Sequence, residues 1–175
     1  RLALATALFI TINETEPNYK WAAAFETIDR AIEQTNQDLS IAELAESFPG
    51  VIEKIKELAA SGIKLAVYTS DSEANSATCL EKFGIKDLIK ANKGGEIKTA
   101  AGYQELCSKL GVEPGKTLMV TDSPHDLAIA KEADAKTILV LSGVTRPEEN
   151  IADIETLFDL VLDSLADLDL AKAGV

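Results

Sequence analysis

Leu118-Met119-Val120-Thr121-Asp122-Ser123-Pro124-His125-Asp126 decides the fold. A short apolar run ends in a hydroxyl and a carboxylate. Pro124 then stands where a helix is expected to begin, and a second carboxylate opens the apolar-periodic segment Asp126 to Ala133. The reading is strand, turn, helix. Two carboxylates four residues apart across such a turn can hold Mg²⁺ or orient a lysine. His125, the only histidine, is read as a surface residue without a role.

The same alternation extends outward from this stretch. Val51 to Ala60 is amphipathic and ends at Ser61-Gly62. Ile63 to Tyr68 reads as a strand, Ser72 to Phe83 as a helix closed by Gly84, and Asp87 to Ala91 as a short strand. Thr99 to Leu110 is helical and closed by Gly111, and Thr117 to Thr121 is a strand. Helix Asp126–Ala133 and strand Thr137–Leu141 follow. Further helical patterns lie at Arg146–Ile154 and Ser164–Ala171, with a strand at Leu160–Leu162. Strands alternating with helices predict an α/β fold, a doubly wound parallel sheet covered on both faces.

Composition is compatible with this. The chain has 175 residues, 46% hydrophobic and 26% charged, with a net charge of −12, enough for one good core. Such acidity argues against binding nucleic acid, and no apolar run reaches the roughly 18 residues of a membrane-spanning helix. The excess is uneven: Glu148, Glu149, Asp153, Glu155, Asp159, Asp163, Asp167 and Asp169 share one stretch without a lysine or arginine. It reads as a solvated face or, more sharply, as a docking surface for a basic partner. Cys79 and Cys107 form no CxxC and are expected to be buried, reduced thiols.

The beginning, Arg1-Leu2-Ala3-Leu4-Ala5-Thr6-Ala7-Leu8-Phe9-Ile10, admits two readings, the end of a signal peptide or a buried parallel strand. The strand is preferred. A polar stretch, Thr11 to Asn18, follows. Two helices then span Tyr19 to Ser47, the second with a Ser40/Glu43 capping box, and Phe48-Pro49-Gly50 ends them. Ligands of an open α/β sheet gather at the C-terminal ends of its strands. Thr69-Ser70 and the free N–H groups after them make a phosphate seat there. Lys98, placed at a helix start where a cation opposes the dipole, can balance a phosphate.

These passages resemble the haloacid dehalogenase-like superfamily, in its phosphoglycolate phosphatase and beta-phosphoglucomutase-like branch. Phe48-Pro49-Gly50-Val51 through Lys64-Leu65-Ala66-Val67-Tyr68-Thr69-Ser70 is similar to its "PGV…L…G…LAVVTS". Leu110-Gly111-Val112 through Thr121-Asp122-Ser123-Pro124-His125-Asp126 is similar to its "LGV…VGDSPHD". Val140-Leu141-Ser142-Gly143-Val144-Thr145 and Asp159 to Leu165 resemble its closing segments. The resemblance implies a Rossmann-like core of residues 1–16 and 49–175, with a reduced helical cap, 17–48, inserted after the first strand. It makes Thr69, Ser70 and Thr11 phosphate-binding, Lys98 the phosphate-neutralising lysine, and Asp122 and Asp126 the acidic pair near Mg²⁺.

The family's "DxDGT" is the point of departure. Counting back from Thr15-Glu16-Pro17 puts Ala7 on the nucleophilic aspartate, Phe9 on the acid/base aspartate and Thr11 on the threonine. No aspartate occurs from Arg1 to Glu26. Neither alanine nor phenylalanine attacks phosphorus or carries a proton, and Mg²⁺ loses a hard oxygen ligand. The expectation is therefore a catalytically degenerate phosphatase: soluble, intracellular or organellar, working as a binding or structural subunit of a protein complex. The alternatives are a Mg²⁺-dependent phosphatase or phosphomutase acting on a small phosphate ester, and a phosphate-ligand sensor without turnover.

Overall fold

A computed structural model describes residues 45–143 and 156–172. All but Ala45 belong to a compact unit, Glu46–Val175. The readings of Arg1–Ile10, Thr11, the Tyr19 and Ser40 helices, and Arg146–Ile154 lie outside the described residues. Ala45 to Phe48 carry no regular structure, so the helix expected to reach Ser47 does not.

Element order is helix α1 (Val51–Ala60), strand β1 (Leu65–Tyr68), helix α2 (Glu73–Lys82), strand β2 (Ile89–Lys93) and helix α3 (Ala100–Leu110). Then come β3 (Leu118–Thr121), α4 (Asp126–Glu132), β4 (Lys136–Val140) and β5 (Leu160–Leu162). Local chemistry sets the boundaries. Ser72 caps α2 by accepting from the Asn75 N–H at 3.1 Å, and Thr99 caps α3 by accepting from the Gly102 N–H at 3.1 Å. Gly111 ends α3 at φ 64°, the left-handed conformation that glycine adopts without a Cβ penalty.

Among the described residues, all strand pairs are parallel. β1 pairs with β2, and β3, β4 and β5 pair in that order. The fold is the expected α/β, Rossmann-like, doubly wound type. Strand β4 explains its own stability: Thr137, Ile138 and Leu139 are 2%, 0% and 0% exposed. Ile138 packs with Leu58 of α1 and Leu168, whereas Leu139 packs with Leu127 of α4 and Phe158. Successive side chains of one strand thus enter cores on opposite faces, which is why a central parallel strand reads as continuously apolar. A further core cluster joins Tyr103 and Cys107 of α3 to Met119 of β3 and Ala130 of α4.

Three expectations change. The second strand is Ile89–Lys93, not Asp87–Ala91. Asp87 lies in a 3₁₀ turn, Lys86–Leu88, closed by the Leu88 N–H on the Ile85 carbonyl at 3.0 Å. Ser164–Ala171 is not a helix but one 3₁₀ turn, Leu165–Asp167, which the Ser164 and Asp167 side chains close with a capping box. Just beyond it, Asp169 captures the Ala171 N–H at 3.0 Å, a side-chain bond that competes with helix. Cys107 is buried and free as expected, and burial pushes its thiol pKa up. Cys79 is free but only half-buried.

The acidic tail is used locally where it is described. The Asp159 carboxylate accepts from the Thr137 N–H at 2.7 Å and the Thr137 hydroxyl at 2.8 Å, tying the start of β5 to β4. Among the described residues, no helix is long and apolar enough to cross a membrane.

Among the described residues, β1 and β3 are each paired on one side only. Both line a cavity of about 630 Å³ that is walled largely by apolar side chains and reaches Lys98 and Asp126.

Candidate active site

The strand ends converge as an open parallel sheet requires. Thr121 closes β3 with its side chain turned inward, 7% exposed, and its hydroxyl donates to Asp126 Oδ2 at 2.7 Å. The same hydroxyl oxygen accepts from the Ser123 N–H at 3.0 Å, so one side chain shapes the turn and holds the carboxylate beyond it. The helix begins at Asp126 rather than at Pro124, because the turn before it is wound tightly. The Asp126 N–H reaches the Ser123 carbonyl at 3.1 Å, and the Leu127 N–H reaches Pro124 at 3.2 Å.

Lys98 comes from the other half of the fold. Its Nζ lies 2.6 Å from Asp126 Oδ2, with the lysine side chain 24% and the aspartate side chain 10% exposed. Asp126 Oδ2 therefore receives two donors, one of them charged, and charge-assisted bonds of this kind are short and strong. Lys98 is not inside the helix. Thr99 is the cap and α3 starts at Ala100, so the ammonium does not oppose the dipole from within the first turn.

Thr69 follows β1. Its hydroxyl oxygen accepts from the Asp71 N–H at 3.1 Å, and its own N–H donates to the Lys93 carbonyl at 3.0 Å. Asp71 accepts from the Ser72 N–H at 2.7 Å and the Asn75 side-chain amide at 3.1 Å, which fixes the turn into α2. Ser70 is exposed. Gly94 lies so close under this turn that a Cβ there would collide with the Asp71 carbonyl and come within 3.2 Å of Thr69 Cγ2. Gly143, after β4, is packed against Asp122, and any side chain at that position would overlap the carboxylate. His125 is exposed, as expected.

The structure brings Lys98, Thr121 and Asp126 into direct contact and sets Asp122 beside Gly143. Ala7, Phe9 and Thr11 lie outside the described residues. Reading the sequence missed Thr121 as the holder of Asp126, and missed Gly94 and Gly143 as the places where backbone approaches the site. The available signal was glycine or threonine at strand ends. Among the described residues, no three carboxylate, histidine or cysteine side chains form a metal cluster. The carboxylates of Asp122 and Asp126 are oxygen donors of the type Mg²⁺ takes, which is held by one or two carboxylates with phosphate and water completing its octahedron.

Comparison with known proteins agrees with this geometry. The chain is 35% identical over 129 residues to a phosphoglycolate phosphatase of Rhodospirillum rubrum, matching 71% of this chain and 52% of that protein. It is 31% identical over 164 residues to one of Vibrio vulnificus, matching 91% and 68%. It thus spans about half the length of the first of these. Among solved structures, a predicted phosphoglycolate phosphatase of Haemophilus somnus superposes with a TM-score of 0.78 at 24% identity, over 100% of this chain and 77% of that one. CbbY of Rhodobacter sphaeroides in complex with phosphate superposes with a TM-score of 0.61 at 27% identity, over 73% and 58%. A model of the haloacid dehalogenase-like hydrolases matches residues 6–140. With the parallel sheet, the lysine–carboxylate pair at its C-terminal edge and these relatives together, the chain belongs to the haloacid dehalogenase-like hydrolase family.

Proposed function

We propose that the unit Glu46–Val175 supplies the phosphate-binding and Mg²⁺-binding side of a phosphatase site whose substrate is a small phosphate ester. The observation that carries this reading is the Lys98–Asp126–Thr121 network, with contacts of 2.6 and 2.7 Å at the C-terminal ends of parallel strands. Relatives named phosphoglycolate phosphatase support the substrate class.

Each residue has a task in this reading. The Thr69 hydroxyl donates to a phosphoryl oxygen. Lys98 places one positive charge on them, and Asp126 fixes where that charge points. Asp122 and Asp126 would hold Mg²⁺, which when bound neutralises phosphate charge. Thr121 keeps Asp126 in place without titrating.

A carboxylate nucleophile completes such a site. The observed order, β2-β1 and β3-β4-β5, becomes the doubly wound order 3-2-1-4-5-6 when one further parallel strand lies between β1 and β3.

A second reading, a catalytically degenerate member that binds phosphate or a protein partner, is favoured by one observation. No aspartate occurs from Arg1 to Glu26, and the resemblance to the family would set Ala7 and Phe9 at the motif positions. The deciding experiment is an assay of the purified chain with p-nitrophenyl phosphate and 2-phosphoglycolate, with and without Mg²⁺. Mg²⁺-dependent hydrolysis that disappears in Asp122→Asn supports the phosphatase. Phosphate binding without hydrolysis supports the second reading, and the absence of both overturns the phosphate site.

A further inference from the structure

Tyr68 is the last residue of β1, and its side chain crosses to the start of α3. Its hydroxyl oxygen accepts from the Thr99 N–H at 2.8 Å and its proton points to the Thr99 carbonyl at 3.3 Å. One phenol thus engages both backbone groups of the residue directly after Lys98. The Thr99 carbonyl also receives the Tyr103 N–H at 3.0 Å, the first bond of the helix. Gly102 makes the crossing possible: a Cβ there would overlap the Tyr68 hydroxyl and lie 3.0 Å from Cζ of the same ring. Alanine is the better helix former in a helix interior by about 1 kcal/mol, so glycine here is explained by the ring that needs the space.

The other end of the Lys98 segment is held by the same loop. The Gly95 N–H donates to the Asp71 carbonyl at 2.6 Å, and Gly94 packs against Thr69. Residues 94–99 are therefore clamped at both ends by Tyr68–Asp71, the stretch that carries the phosphate-seat hydroxyl. Between the clamps sits Lys98, whose ammonium reaches Asp126.

We infer that Tyr68 is a positioning residue: through Thr99, its hydroxyl sets the reach of Lys98, so that the lysine and the Thr69 seat act on one phosphoryl group. The phosphate arm of this inference rests on the proposed function; the positioning of Lys98 does not.

The test is Tyr68→Phe, which keeps the ring and removes the hydroxyl. Two readouts are measured on the full chain. The first is the ¹H–¹³Cε correlation of Lys98, assigned by its loss in Lys98→Met. It shows two distinct Hε protons when the side chain is held and one averaged signal when it is free. Lys64, whose Nζ lies 2.7 Å from the Leu110 carbonyl, is the internal control. The second is calorimetric binding of inorganic phosphate in Mg²⁺. The expectation for Tyr68→Phe is an averaged Lys98 signal, an unchanged Lys64 signal and phosphate binding weaker by about fivefold to tenfold, the effect of one lost hydrogen bond. Gly102→Ala, which displaces the ring from the other side, is expected to do the same and serves if the first variant folds poorly. A wild-type Lys98 signal in both variants overturns the inference, as does unweakened phosphate binding against a wild type that binds. An averaged Lys98 signal in a protein whose wild type binds no phosphate leaves the positioning standing and removes the phosphatase reading.

Discussion

Lys98 and Asp126, 28 positions apart in the chain, meet at 2.6 Å where the two halves of the fold come together. The pair is largely withdrawn from water, so each member depends on the other for compensation. Single replacements, Lys98→Met or Asp126→Asn, are expected to destabilise the fold by about 1–3 kcal/mol, less than the roughly 3–5 kcal/mol for breaking a fully buried pair because Lys98 keeps some water contact. A double-mutant cycle read by urea denaturation should return a coupling of about 1–2 kcal/mol. Additive single effects would show that the two side chains do not interact in solution.

Thr121 is expected to matter through its hydroxyl rather than its shape. Thr121→Val leaves the Ser123 N–H without its acceptor and Asp126 without one donor, a loss of about 1–3 kcal/mol. Thr121→Ser keeps the hydroxyl and should lose less. Thermal melts of the two variants side by side check the order, and equal losses would assign the effect to packing.

Asp159 predicts an acid-limb effect. Its carboxyl is held below the ordinary aspartate value of 3.8, first by the hydrogen bond from the Thr137 hydroxyl and then by the Thr137 N–H. A group whose pKa is depressed by folding stabilises the fold above its unfolded pKa, and that contribution fades as pH falls through the folded value. Asp159→Asn should therefore cost about 1 kcal/mol at neutral pH, given the exposure of the group. The gap between variant and wild type should close below pH 4. A gap that does not narrow as the pH falls below 4 would locate the effect outside the ionised carboxylate.

The centre of β4 carries the largest single packing contributions. Ile138 and Leu139 are both 0% exposed and face opposite cores. Replacement of either by alanine is expected to cost about 2–5 kcal/mol. Replacing Lys136 at the start of the same strand, which is exposed, should stay within about 0.5 kcal/mol. Denaturation midpoints of the three variants measure this, and a small loss at either buried position would mean that β4 is not central.

Much of the fold was legible because its strands are short apolar runs and its helices end on glycine or a hydroxyl cap. Leu160–Leu162 and Val51–Ala60 match the sequence reading at both ends. Ser164–Ala171 misled because its leucines fall at helical spacing, whereas Ser164, Asp167 and Asp169 spend their side chains on nearby N–H groups. In the site, Thr69 and Asp122 stood out as polar groups at strand ends, and Lys98 and Asp126 as charged groups at helix starts. Thr121 and Tyr68 did not. A hydroxyl ending a strand reads the same whether it faces water or a buried carboxylate, and a tyrosine in an apolar run reads as core. Their roles depend on partners 5 and 31 residues away, a pairing that no local pattern encodes.

The most direct test of the account is a calorimetric titration of inorganic phosphate, with Mg²⁺ present, into the wild-type chain and into Lys98→Met and Thr69→Ala. The account predicts one saturable site in the wild type, with affinity reduced at least tenfold in each variant, the loss of a charged or hydroxyl partner to phosphate. No binding to the wild type, or binding that both variants retain in full, would contradict it.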